Sequence, residues 1–110
     1  MILIFLPQNW RKHLPFGGMA LYPFVLLTHP SQRYDEVLIN HERIHLRQQL
    51  ELLILPFYLF YLLNYGINWL RYGNHNKAYL NICFEQEAYR NEEKLNYLKR
   101  RKWWAFLNYL

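Results

Sequence analysis

The sequence predicts an α+β fold that is mainly α, in a single domain covering residues 1–110. A chain of 110 residues can bury one modest core but not two. Most of the Pro and Gly residues fall within the first 34 positions, where apolar runs are short, and this favours strands and turns. From Asp35 the chain has neither Gly nor Pro until Pro56, which favours a helix. We therefore expect a short N-terminal strand or hairpin region followed by four helices.

The N-terminal region contains two apolar runs separated by turn residues. The first run, MILIFL, ends at Pro7, and it is too short and lacks the basic flank of a secretory signal, so it predicts a strand. Pro15 and Gly17 then mark turns before the second run, Met19–Leu27. Because Pro23 has no amide hydrogen, this second run predicts an edge strand, which can pair with an extended peptide.

The helical half begins at Asp35 and Glu36, whose acidic side chains suit the first turn of a helix. The following stretch, Leu52–Leu70, runs nineteen residues without a charge and is long enough to span a bilayer. Pro56 and Gly66 interrupt it. Two interpretations stay open, namely a buried core helix and a membrane-inserted or membrane-apposed helix.

A third helix is predicted at Lys77–Tyr97, after a polar turn around Gly73–Asn76, and an amphipathic segment ends the chain. The basic residues Lys99 to Lys102 lie in this last segment and are followed by Trp103 and Trp104. With a formal charge of +5, such a cluster attracts phosphate, and aromatic rings beside it are typical of a membrane-surface helix. An anionic membrane surface is therefore a better candidate partner than nucleic acid, and a solvated basic face is the alternative.

The lone cysteine, Cys83, excludes an intrachain disulfide and a Cys-based zinc knuckle. A reducing compartment fits this composition. We expect a cytoplasmic or membrane-associated protein without a secretory signal peptide.

The motif HERIH carries the chemistry. His41 and His45 are four residues apart, so on an α-helix they lie about 40° and one turn from each other, and both rings can reach a single cation. Glu42 lies beside that cation rather than on it, where it can take a proton from metal-bound water. Gln48 and Gln49 follow one turn later and can orient His45, although long polar side chains on a helix mostly face solvent.

Catalytic zinc needs a third protein ligand and an open position for water, and the segment FEQEAYRNE offers two carboxylates. On a helix Glu85 and Glu87 point to nearly opposite sides, so only one of them can be the ligand. Glu85 shares its face with small or apolar neighbours such as Ala78 and Ile82, which suits a helix packed against HERIH. The helix face of Glu85 therefore favours it as the third ligand, and Glu87 stays an alternative.

HERIH followed by a carboxylate in FEQEAY resembles the gluzincin metallopeptidases, in which a distant helix supplies a glutamate ligand. In its small size, its strand region and these two helices, the chain resembles the minigluzincins. Prenyl-protease-like and beta-lactam-sensor membrane peptidases share this arrangement of an HExxH helix and a glutamate helix. The resemblance covers about residues 17–92, although its specific part is the two motifs. It implies a zincin-like fold, with Zn²⁺ held by His41, His45 and Glu85.

The sequence departs from this family at two kinds of position. An acid that orients a zinc histidine usually stands four residues after the ligand glutamate, and here Tyr89 stands there, so the phenol replaces it or leaves the role to another group. Arg43 and Arg47 carry charges where uncharged residues are usual.

The function expected from these residues is hydrolysis of peptide bonds in a peptide or protein substrate, with Glu42 activating a zinc-bound water. Two other hypotheses compete with it. One is a catalytically silent, membrane-associated zinc-binding scaffold or sensor. The other is a basic nucleic-acid-binding protein in which the His and Glu residues are incidental.

Overall fold

A computed structural model describes residues 1–6 and 18–110 of the chain. Within them, a three-stranded sheet is followed by five α-helices, which confirms the α+β, mainly α class. The strands are β1 (Ile2–Phe5), β2 (Gly18–Leu21) and β3 (Phe24–Leu27). The helices are α1 (Glu36–Leu52), α2 (Ile54–Tyr72), α3 (His75–Leu80), α4 (Cys83–Asn91) and α5 (Tyr97–Arg100), and short 3-10 helices cover Pro30–Tyr34 and Ala105–Tyr109.

The sheet has the order β1-β3-β2, with β1 parallel and β2 antiparallel to the central β3. The N-terminal strand is thus confirmed. The prediction of a single edge strand over Met19–Leu27 was wrong, because this run folds as a hairpin in which only β2 lies at the edge. Pro23 lies in the turn between the two strands, where its missing amide hydrogen removes no ladder bond. The turns predicted at Pro7, Pro15 and Gly17 lie outside the described residues.

Helix α1 forms the centre of the molecule. The Asp35 carboxylate accepts a hydrogen bond from the Leu38 amide and so caps its first turn. Leu46 packs with Ala20, Val25 and Leu27 in a hydrophobic cluster that joins α1 to the sheet. The helix ends at Leu53, whose positive φ of 68° turns the chain by 110° into α2.

Helix α2 is not the buried core helix that was one of the two interpretations of the uncharged stretch. Only Phe57 and Asn68 of α2 are fully buried, and most of its leucines are exposed. Phe57 packs into a second cluster with Ile82, Phe84 and Phe106. Among the described residues, no single helix has the length and apolar character needed to cross a membrane, whereas α1 and α2 taken together pass that test despite their bend.

The predicted third helix, Lys77–Tyr97, is interrupted, so this prediction was wrong in its continuity. The chain leaves the helical conformation at Ile82, whose backbone is extended, and just before it the Asn81 side chain caps α3 by donating a hydrogen bond to the Lys77 carbonyl. The break allows α4 to turn against α1. The predicted C-terminal helix is likewise only the short α5 and a 3-10 helix.

The end of α4 is fixed by a side chain of α1. Asn40 is buried, and its amide donates to the carbonyl oxygens of Asn91, Glu92 and Lys94 at 3.3, 2.8 and 3.1 Å. Carbonyls at a helix C-terminus have no partner within the helix, so this amide supplies a donor to one buried and two partly buried contacts.

We expect Asn40→Ala to lower the free energy of unfolding by about 2 kcal/mol, because buried carbonyl oxygens lose their donor. Urea unfolding in the presence of a metal chelator measures this. The control is Asn76→Ala, at an exposed helical position, which should change stability by less than about 0.5 kcal/mol. Equal stabilities for the two variants would contradict the capping role.

Candidate metal centre

Three side-chain atoms converge between α1 and α4. The Nε2 atoms of His41 and His45 lie 3.1 Å apart, and Glu85 Oε1 lies 3.2 Å from the first and 3.0 Å from the second. All three residues are buried, and this group can hold a metal ion. The structure therefore brings together the residues for which the sequence predicted a metal-binding role.

Helix geometry places the two histidines, and the break before α4 places the glutamate. His41 and His45 are one turn apart on α1, as the spacing predicted. Glu85 lies in the first turn of α4 and faces α1. Its second carboxylate oxygen accepts a hydrogen bond of 2.8 Å from the Tyr61 hydroxyl of α2. That bond leaves Oε1 directed at the two rings.

The orientation of Gln48 fixes the tautomer of His45. The Gln48 amide nitrogen lies 2.9 Å from Glu87 Oε1 and 3.2 Å from the Phe84 carbonyl, which are both acceptors. Gln48 Oε1 is therefore the atom 2.8 Å from His45 Nδ1, so Nδ1 must carry a hydrogen and donate it. The Nε2 lone pair of His45 is then free to bind a cation. The expectation that Gln48 faces solvent was wrong, since this side chain is fully buried.

Glu87, the alternative third ligand, is separated from the His45 ring by the Gln48 side chain. Besides Gln48, it accepts hydrogen bonds from the Tyr97 hydroxyl and from the Arg101 guanidinium. Arg101 also pairs with both carboxylate oxygens of Glu51 at 2.8 and 2.9 Å. Arg101 is thus a buried residue of the predicted basic cluster rather than part of its solvated face.

His41 is oriented by the carboxylate of Glu92, a residue that the sequence motifs did not single out. Glu92 Oε2 lies 2.7 Å from His41 Nδ1, so Nδ1 donates to it and the His41 Nε2 lone pair also faces the site. Tyr89, at the position where gluzincin metallopeptidases have an acid, packs edge-on against the His41 ring with centroids 4.5 Å apart. Glu92 follows Glu85 by seven residues, which is two turns on one helix face, and this spacing was the available signal.

Electrostatics inside the site favour a positive charge at its centre. Burial alone lowers the pKa of His45, but the adjacent Glu85 carboxylate outweighs it and raises that pKa to about 9. Burial also opposes ionisation of Glu85, yet the two histidines hold its pKa well below the ordinary value. Two ring nitrogens and a carboxylate oxygen so close together need either a proton or a metal ion between them.

Glu42 lies in the same cavity as the three converging residues. The cavity has a volume of about 310 Å³ and is lined by β2, by α1 and by aromatic side chains of α2 and α3. Burial raises the pKa of Glu42, although the two histidines act in the opposite direction. The first residue of β2 lies beside this carboxylate, since a Cβ at Gly18 would be in ordinary van der Waals contact with Glu42 Oε1, at 3.5 Å.

Gln49 connects the edge strand to the cavity. Its amide nitrogen donates to the Ala20 carbonyl at 2.9 Å, and its oxygen accepts from the Tyr22 amide at 2.7 Å. The Tyr58 hydroxyl donates to the same Ala20 carbonyl at 2.6 Å. Gln49 is buried, so the expectation that it faces solvent was also wrong. These bonds hold β2 against α1 at the mouth of the site.

The donor set fits zinc. Two imidazole nitrogens and one carboxylate are among the ligand sets of catalytic zinc sites, where a fourth position stays open. The adjoining cavity provides space for that position. Carboxylate and amide partners on the outer ring nitrogens are also usual for metal-binding histidines. Comparison of the chain with protein-family models, curated proteins and solved structures finds no match.

We expect Glu92→Gln to weaken Zn²⁺ binding by about 10- to 100-fold, because the His41 ring loses a charged acceptor. Competition with a chromophoric chelator measures the affinity. Glu93→Gln is the matched control, since Glu93 is the exposed neighbour of Glu92 and should leave the affinity unchanged. Similar affinities for both variants would remove Glu92 from the site.

Glu85 and Glu87 can be separated by a second pair of variants. We expect Glu85→Gln to abolish stoichiometric Zn²⁺ binding, because a ligand charge is lost. Glu87→Gln should retain stoichiometric Zn²⁺ but lower the free energy of unfolding by about 1–3 kcal/mol, because Arg101 loses a charged partner. Metal analysis after gel filtration and urea unfolding provide the two measurements. The opposite pattern would make Glu87 the ligand.

Proposed function

We propose that this protein is a small zinc-dependent peptidase of the gluzincin type, with His41, His45 and Glu85 as the metal ligands. The observation that carries the proposal is the convergence of these three residues in a cavity that also contains the carboxylate of Glu42. Local geometry supports it, since each ring nitrogen that does not face the site has an acceptor of its own.

Bound zinc would supply a Lewis acid that polarises a scissile carbonyl and acidifies water. Within the chain, Glu42 acts as the general base, taking a proton from water and passing it to the leaving amine. Burial raises the pKa of Glu42, and a more basic carboxylate is a better acceptor for the proton of the attacking water.

The substrate would lie along β2. An extended peptide can add to a sheet edge, and among the described residues β2 is the edge strand beside the cavity. The Ala20 carbonyl already accepts two internal hydrogen bonds, so pairing would use the Gly18 end, close to Glu42. Phe57, Tyr58 and Tyr61 line the cavity and favour an apolar substrate side chain.

The departures from the family pattern carry less weight in this geometry. Arg43 is exposed and so does not enter the site. Glu92 occupies the orienting position that Tyr89 leaves without a carboxylate. The proposal of catalysis is therefore preferred to that of a silent zinc-binding scaffold.

We expect Glu42→Gln to reduce kcat for peptide cleavage by about 10²- to 10⁴-fold while Zn²⁺ content stays the same, because the base is lost and the ligands remain. A panel of fluorogenic peptides with apolar residues at varied positions gives the rates. Glu36→Gln, at an exposed position of the same helix, is the control and should keep full activity. A zinc-loaded wild type that cleaves nothing would instead support the scaffold.

A further inference from the structure

The outward face of α2 exposes a row of leucines, and the proposed peptidase activity does not use it. Five leucines fall within about 100° of one another around the helix axis, and each is between 60% and 87% exposed. We call this set the leucine stripe: Leu55, Leu59, Leu62, Leu63 and Leu70.

Helix α2 differs from an ordinary surface helix because its outward face is also apolar. Its inward face carries hydroxyl and amide groups, such as Tyr58, Tyr61 and the buried Asn68, which bond to other parts of the protein. Its outward face carries aliphatic side chains without a charge. A continuous exposed aliphatic surface of this kind marks an interaction site.

Exposed basic residues lie near both ends of α2. Arg71 is exposed and directly follows Leu70. At the other end, Arg101 and the Trp104 amide bond to Glu51, in the last turn of α1, and thereby hold the C-terminal segment beside the start of α2. The exposed basic residues of that segment are Lys99, Arg100 and Lys102.

Acidic residues are absent from the same part of the sequence. No Asp or Glu occurs between Leu52 and Phe84, or after Glu93. Trp103, which is 62% exposed, adds an amphipathic ring beside the basic residues. A second copy of the chain is a poor partner, because pairing two stripes in either direction brings cationic ends together.

We propose that the leucine stripe and the cationic residues at its two ends dock this protein on an anionic lipid surface, with α2 lying in the plane of that surface. A helix of 19 residues is about 28 Å long, and an apolar face of this length inserts about 5–10 Å into the headgroup region. The side chains that line the cavity, such as Phe57 and Tyr61, are on the opposite side of α2. The candidate metal centre therefore stays open to water.

Sedimentation with vesicles tests the proposal on the full chain, independently of any peptidase activity. Wild-type protein should bind vesicles in which about a third of the lipid is phosphatidylglycerol, and should bind pure phosphatidylcholine at least tenfold more weakly. The double variant Leu59→Asn, Leu62→Asn should reduce binding to the anionic vesicles at least tenfold. The matched control is Leu80→Asn, Leu95→Asn, at exposed leucines outside the stripe, and it should bind as wild type does.

The charge requirement is tested by Lys99→Gln, Arg100→Gln, Lys102→Gln, which should lose most of the preference for anionic over neutral vesicles. Circular dichroism and Zn²⁺ content monitor folding of each variant. The proposal fails if wild type ignores anionic vesicles, or if the stripe variant binds them as well as the control. It also fails if wild type is a stable dimer that the stripe variant dissociates, or if bound protein resists alkaline extraction as a spanning helix does.

Discussion

The packing of α4 against α1 is held by buried polar groups, and their need for partners constrains most of the structure. Asn40, His41, His45 and Gln48 all project from α1 toward α4 or the chain just after it. A buried polar group without a hydrogen bond costs free energy, so each of these four side chains requires a hydrogen-bond partner on the facing segment. Among the described residues, no buried side-chain nitrogen or oxygen lacks such a partner. The two helices thus have little freedom to slide or rotate against each other.

The same constraint fixes which ring nitrogen of His45 faces the candidate metal centre. A chain of hydrogen bonds runs from Arg101 through Glu87 and Gln48 to His45. Because the guanidinium of Arg101 can only donate, it determines which group donates and which accepts at each later step. Consequently the C-terminal segment, though far from the cavity in sequence, helps to decide which nitrogen of His45 faces it. Orientation of metal-binding rings by such outer contacts is a general requirement of tight sites.

Helix α2 separates two surfaces with different chemistry. On its inward aromatic face, Tyr61 donates a hydrogen bond to Glu85 and Tyr58 donates one to the edge strand. Its outward face presents the leucine stripe. Because the two faces are on opposite sides of one rigid helix, a lipid surface could be contacted without closing the cavity. The proposed hydrolysis and the proposed membrane docking are in this sense geometrically compatible and independent.

The sequence by itself determined the features that depend on local geometry. The spacing of His41 and His45 predicted two rings on one helix face, since every α-helix has the same period. The distribution of Pro and Gly predicted the strand region and the helical half. It did not predict the break at Ile82 or the hairpin turn at Pro23, which depend on how short elements pack.

Only the tertiary structure decided which partners those residues have. Glu85 and Glu87 lie on opposite sides of α4. Glu85 faces the histidines, whereas Glu87 pairs with Arg101, which Glu51 of α1 also binds. The buried roles of Gln48, Gln49 and Glu92, and the exposure of the leucine stripe, likewise follow from packing between separate segments. Helical spacing and the positions of Pro and Gly can be read directly from the sequence. Burial and pairing, in contrast, depend on residues that only the fold brings together.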